Sequence, residues 1–397
     1  MSAITQNKQG LKVLAAGSIV QLFLGILYVW SIFVIPVSEA YQWAPSGVKL
    51  MTSFMLSFFV VGILIGGKLL VKTGVQKIVL AGGLMLSAGM LTSAFLKPAT
   101  AQLMYLSYGI IGGFGVGAGY NTIITTAQKW FPQNRGFATG VTVCAFGFST
   151  VIFAPLIEAL IAGFGVKNTF LILAAAFFVV TVVLYRFIRL PDSTQAGAAG
   201  AALLDKKQYT TTEAIKTKEF YFITLSLMLA TAAFFILNPS FKTFAAERGL
   251  GAGAGTVLVM MTGVANALGR LSVPLLSDKI GREKTALTII LVTALCSLFL
   301  CFVQGFVFMA TVALIAFCYG GYSGIYPVLT ADYFGIKNVG SNFGAVMMGF
   351  ALSALIFPLI FAMIGDVTVK FIVLAALAVI GAIMIALLMK SGKKDSL

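Results

Sequence analysis

The 397-residue chain has no histidine, four cysteines and only twelve acidic residues. Each scarcity removes a class of chemistry. Cys144, Cys296, Cys301 and Cys318 all lie inside apolar runs without metal-like spacing. Zinc, haem and iron–sulfur centres therefore lack their ligand sets, and the cysteines read as small apolar packing residues. No cofactor is expected. No nucleophile, metal or acid–base cluster stands out, so the chain does not read as an enzyme. Charged side chains are also scarce, at 10% of residues against about 25% in soluble domains.

What the chain has instead is hydrophobic length: 59% of its residues are apolar. About twelve runs of roughly 18 to 28 residues, separated by short polar breaks, are long enough to cross the hydrocarbon as helices. They are placed at 12–37, 48–70, 76–96, 101–127, 136–163, 168–189, 220–246, 251–277, 284–304, 306–330, 339–364 and 368–390. A β-barrel would alternate apolar and polar residues, and LILAAAFFVVTVVLY at 171–185 does not. The fold class is an all-α integral membrane protein. The polar lead MSAITQNKQGLK enters the first run without a small-residue cleavage pattern, so that helix is expected to act as the insertion signal.

The net charge of +15 reports topology. With both termini placed inside and the spans alternating, twenty of the 27 Lys and Arg residues fall in inner loops and tails, six in outer loops, and one, Arg270, within a span. That is the positive-inside pattern. It implies contact with anionic membrane lipid and no nucleic-acid partner.

Arg270 lies in TGVANALGRLSVPLLSDKIGREK (262–284). A guanidinium keeps its proton, and at bilayer depth it costs several kcal/mol. No acid lies within the apolar part of this run. Asn266, one turn earlier on the same face, can orient the guanidinium but not neutralise it. The simplest compensating charge is an anionic ligand that comes and goes.

The longest polar interval, 191–219, divides six spans (1–190) from six (220–397). The halves echo each other. GAGYNTIITTAQKWFPQNRGFATG (117–140) aligns with GGYSGIYPVLTADYFGIKNVGSNFG (320–344), and GGKLLVKTGVQK (66–77) with VPLLSDKIGREK (273–284). Repeats of six plus six helices mark alternating-access carriers, with substrate near the midplane. Tyr319, Tyr322 and Tyr326 share one helix face around Gly320, Gly321 and Gly324, as an aromatic wall or a tight helix contact. GGFGVGAG (112–119) mimics a dinucleotide loop but follows no strand, so it reads as a packing face. Pro155, Pro239, Pro274, Pro327 and Pro358 are expected to bend the long helices.

Several of these stretches carry a resemblance. LGILYVWSIFVIPV in the first span, QKWFPQNRGFATG after the fourth, ANALGR in the eighth, ADYFGIKNVGSNFG before the eleventh and the loop SDKIGREK resemble the major facilitator superfamily, and within it the oxalate–formate antiporter family, related to monocarboxylate transporters. The resemblance implies two pseudo-symmetric six-helix bundles and a substrate cavity lined by Tyr28, Tyr120, Tyr319 and the basic Arg270, with Asn266 beside it. It departs at Ser323, where the oxalate carrier has a tyrosine, at Phe350, where it has a lysine, and at Val71, where the loop motif has an aspartate. Arg135, Asp278, Arg282 and Asp332 are expected to make and break inner-gate contacts.

The missing second cation bears on the substrate. One guanidinium neutralises a monocarboxylate by a bidentate pair but leaves a dianion half-compensated. Lactate, pyruvate, formate or acetate is therefore favoured, and an oxalate:formate-type dicarboxylate/monocarboxylate antiporter is the alternative. The lack of histidine points to anion exchange, with proton-linked transport open. A multidrug exporter of cations would carry a membrane carboxylate in place of the arginine. The expected setting is a prokaryotic inner membrane, with the chain functional as a monomer.

Overall fold

The computed structural model of the chain describes residues 8–191, 207–237 and 254–392. Pro239 and most of the polar interval, 192–206, lie outside the described residues. Helices dominate, and no strand occurs among the described residues. Lipid offers the backbone no hydrogen-bond partners, so uninterrupted apolar sequence satisfies its amides and carbonyls within its own helix.

The first span joins α1 (Lys8–Leu24) to α2 (Trp30–Tyr41) through a 3-10 turn at Gly25–Val29. Then follow α3 (Pro45–Thr73), α4 (Val75–Ala94), α5 (Gly113–Trp130) and α6 (Arg135–Leu184). The second half contributes α7 (Lys218–Leu237), α8 (Ala254–Ile280), α9 (Arg282–Phe299), α10 (Gly305–Phe334), α11 (Val339–Ala362) and α12 (Val367–Gly392). Gly165, at φ 71° and ψ 169°, breaks α6 into the fifth and sixth spans. Among the described residues the chain thus forms twelve helical spans.

Two spans depart from the regular helices that hydropathy predicts. The 3-10 turn in the first packs closely against α6 at Gly25. A Cβ built on Gly25 would lie 2.1 Å from the Phe146 carbonyl oxygen. The fourth span opens on a 3-10 turn at Pro98–Leu103 and a π-helical stretch at Tyr105–Gly112 before α5 begins. Of the polar interval, residues 211–214 form a single turn. Thr210 and Glu213 cap it reciprocally.

The chain forms two compact units. Unit 1 comprises Met1–Gln133, Val141–Gln208 and Ile336–Gly344; unit 2 comprises Asn134–Gly140, Tyr209–Gly335 and Ala345–Leu397. Helices α6 and α11 therefore each begin in one unit and continue in the other. In unit 1 the most extensive packing is α3 on α5, and in unit 2 it is α8 on α10. Glycine makes both possible. A Cβ on Gly117 would sit 1.9 Å from the Phe59 carbonyl oxygen, and one on Gly269 1.9 Å from that of Phe317. The stripe at 112–119 is thus a helix-packing face. Unit 2 also holds an apolar core of Leu258, Phe308, Phe357, Phe361 and Phe371.

Candidate functional site

Arg270 is 1% exposed. Its Nε donates to Asn266 Oδ1 at 2.9 Å, the i,i+4 geometry that helical spacing requires. The contact between α8 and α10 holds Asn266 in turn. A Cβ on Gly320 would meet the Asn266 carbonyl oxygen at 2.1 Å and its Oδ1 at 2.9 Å. Any side chain at 320 would therefore push on the group that orients the guanidinium.

Tyr319, the residue before Gly320, is buried. Its ring stacks on Phe234 of α7 at 3.9 Å and 13°, and its edge meets Phe235 at 5.9 Å. Phe350 of α11 closes this group, 5.0 Å from Phe235 and 6.3 Å from Tyr319. Ser323, half-buried, donates its hydroxyl to the Tyr319 carbonyl at 3.4 Å. Tyr322 and Tyr326 do not extend this wall. The Tyr322 hydroxyl lies 2.6 Å from that of Thr293 and donates to the Ile289 carbonyl, while the Tyr326 hydroxyl lies 2.9 Å from that of Ser226. Both are packing tyrosines with satisfied hydroxyls.

Unit 1 brings Tyr28 and Tyr120 together through Phe146 of α6. The Phe146 ring meets Tyr28 edge-on at 5.6 Å and Tyr120 edge-on at 4.7 Å, and Phe59 packs against both Tyr120 and Phe146. The 3-10 turn carries Tyr28, which is half-buried. Gln21 donates to the Tyr120 carbonyl at 3.1 Å. Phe59, Phe146, Phe234 and Phe235 were not legible as neighbours of the expected site tyrosines, because nothing in periodicity separates them from the other phenylalanines of a chain that has 34.

The four predicted gate residues form one cluster in unit 2. Arg135 pairs with Asp332, and Arg282 with Asp278 and, at 3.5 Å, with Asp332. Arg282 also donates to Ser277 Oγ at 2.7 Å. Asp278 accepts the Gly136 and Phe137 amides at 3.0 and 2.8 Å, so its carboxylate sits on the positive end of α6. A cavity of about 350 Å³ opens beside Asp278, Arg282, Glu283, Asp332 and Tyr333. The Tyr333 hydroxyl donates to Glu283, a bond that spacing did not reveal. Asp366 caps α12, accepting the Thr368 and Val369 amides at 2.6 and 3.0 Å.

Comparison with known proteins places this architecture. The family model described as "Major Facilitator Superfamily" matches residues 15–326 and 223–396. The chain belongs to the Major Facilitator Superfamily. Among the relatives of this superfamily protein is the "Uncharacterized MFS-type transporter YhjX" of Escherichia coli, 24% identical over 340 residues that cover 85% of this chain and 84% of the relative. The "Oxalate:formate antiporter" of Oxalobacter formigenes is 27% identical over 325 residues, covering 81% of this chain and 76% of that one. "Monocarboxylate transporter 13" of Rattus norvegicus is 24% identical, covering 65% and 59%. Solved structures share the fold. The proton:xylose symporter XylE, at 15% identity, superposes with a TM-score of 0.72 over 95% of each chain. The E. coli fucose:proton symporter FucP gives 0.68 over 94% and 98%. This superfamily member is therefore a membrane transporter of small molecules and not an enzyme.

Proposed function

We propose that the chain is a secondary active transporter of small monocarboxylates, such as lactate, pyruvate, formate or acetate, working by alternating access as an anion exchanger. One observation carries the reading: a permanently charged guanidinium, Arg270, is buried in α8 and oriented through Nε by Asn266. Such a group suits one carboxylate, which it can hold through a bidentate, charge-assisted pair. Phe350 stands where the oxalate carrier's lysine is expected and packs edge-on against Phe235. A dianion at Arg270 would keep one charge uncompensated in a poorly solvated setting.

In unit 2, Tyr319 and Ser323 would offer the carboxylate an aromatic face and a hydroxyl; in unit 1, Tyr28 and Tyr120 would offer a second set of aromatic faces and hydroxyls. The relatives named for oxalate, formate and monocarboxylates support an organic anion, and oxalate:formate-type exchange is the second reading. A carboxylate bound at the guanidinium lowers the cost of dehydrating the site, which favours exchange over net transport. Arg135, Asp278, Arg282 and Asp332 would open and close the inner end in each cycle. The positive-inside pattern supports an inner-membrane protein with cytoplasmic termini; one chain is the working unit of the proposed cycle.

The test is reconstitution in liposomes. Labelled lactate should enter vesicles loaded with lactate and enter empty ones far more slowly. Arg270→Gln should reduce uptake at least about 100-fold, as expected when a buried charged anchor worth about 3 kcal/mol is removed. Uptake indifferent to that substitution would overturn the site, and oxalate moving where lactate does not would favour the second reading.

A further inference from the structure

The repeat sets Gly67 on Pro274, Val71 on Asp278 and Val75 on Arg282; it also sets Val339, Gly340 and Gly344 on Arg135, Gly136 and Gly140. The corresponding backbones meet in the same way. In unit 2 a Cβ on Gly136 would lie 2.1 Å from the Pro274 carbonyl oxygen, and one on Gly140 2.9 Å from that of Leu271. In unit 1 a Cβ on Gly67 would lie 2.3 Å from the Gly340 carbonyl, and one on Gly344 2.5 Å from Leu64 Cα. Each unit thus presses the start of one long helix, α6 or α11, against the end of another, α8 or α3.

The chemistry that holds the two contacts differs. Asp278 fastens α6 by its carboxylate, backed by Arg282, Arg135 and Asp332. At the matching positions of unit 1 stand Val71, Val75, Val339 and Lys129, and Val71 is 60% exposed. A different residue reaches the contact there. Asn121 of α5 is fully buried, and its Nδ2 donates both to the Gly340 carbonyl at 2.7 Å and to the Ile63 carbonyl at 2.8 Å. The repeat puts Gly324 at the Asn121 position of unit 2, where there is no side chain to do the same.

We infer that Asn121 is the latch of the α11 start, a neutral bridge from α5 that replaces the charged latch Asp278 provides at the α6 start. The inference rests on the alternating-access reading in one respect only, that both latches open and close during transport. A neutral latch carries no charge for salt to screen, whereas the carboxylate–guanidinium network, whose side chains are 10–27% exposed and reach solvent most at Asp332, is screened in part. The two ends of the repeat therefore respond differently to salt.

Hydrogen exchange on the intact detergent-solubilised protein tests this without any substrate, so a failure of lactate transport leaves the result interpretable. Raising NaCl from about 0.05 to 0.5 M should speed exchange several-fold in the first two turns of α6 and by less than twofold in those of α11. Asn121→Asp keeps the volume but loses the donor, and should speed exchange at the α11 start about tenfold, with α6 unchanged. Asp278→Asn should do the reverse. Equal salt responses at the two starts would overturn the inference, and so would unaltered α11 protection in Asn121→Asp. The salt comparison needs no variant, which keeps the inference testable if Asn121→Asp does not fold.

Discussion

At the scale of single residues, Arg270 depends on what holds it. Asn266 supplies the Nε acceptor, and removing it frees the guanidinium to adopt other rotamers without removing its charge. Asn266→Leu should therefore raise KM for exchange about tenfold while kcat changes less than about threefold, read from the concentration dependence of uptake. Tyr319→Phe keeps the stack on Phe234 and should be mild, whereas Tyr319→Leu loses it and should cost about 1 kcal/mol in kcat/KM. The Asn266–Arg270 pair was legible in the sequence because a four-residue interval fixes proximity on a helix. The tyrosines of α10 were not. Their spacing defines a face, but only the neighbours Thr293, Ser226 and Phe234 decide which hydroxyl is spent on packing. Asn121 was equally hidden, since both of its acceptors lie far away in sequence, at Ile63 and Gly340.

At the scale of helices, the α8–α10 contact is a backbone-to-backbone approach that no side chain can enter. Gly320→Ala would place a methyl 2.1 Å from the Asn266 carbonyl oxygen. It should destabilise the protein by about 1–3 kcal/mol or more, and should lower lactate affinity by displacing Asn266. Gly263, on the same helix as Arg270, has no neighbouring element's atom within 4 Å of a built Cβ among the described residues. Gly263→Ala should be neutral or should stabilise by up to about 1 kcal/mol, through helix propensity alone. Thermal unfolding of the pair in one detergent separates the two outcomes. Span number and length were readable because lipid imposes them on composition. The 3-10 turn at Gly25–Val29 and the π-helical stretch at Tyr105–Gly112 were not, because both depend on how closely a neighbouring helix approaches.

At the scale of the whole molecule, the side chain whose ordinary charge change falls between pH 5 and 8 is missing. The chain has no histidine, and the guanidinium of Arg270 keeps its proton. Lactate–lactate exchange should therefore vary less than about twofold between pH 6 and 8; a steep dependence in vesicles would point to proton-linked transport. The ion cluster at Arg135, Asp278, Arg282 and Asp332 occurs in one unit, while the matching positions of the other are mostly valines. Two similar sequences have thus become mechanically unlike.

The shared ownership of α6 and α11 carries a consequence for any attempt to divide the protein. A cut in the polar interval would leave Arg135 and Gly136 on the first fragment, although their partners Asp332 and Asp278 are on the second. It would leave Gly340 on the second fragment, although Asn121 and Gly67 are on the first. Each fragment would hold a loan from the other's interior. Neither is a self-sufficient module, and fragments expressed together should rescue one another where each alone is degraded.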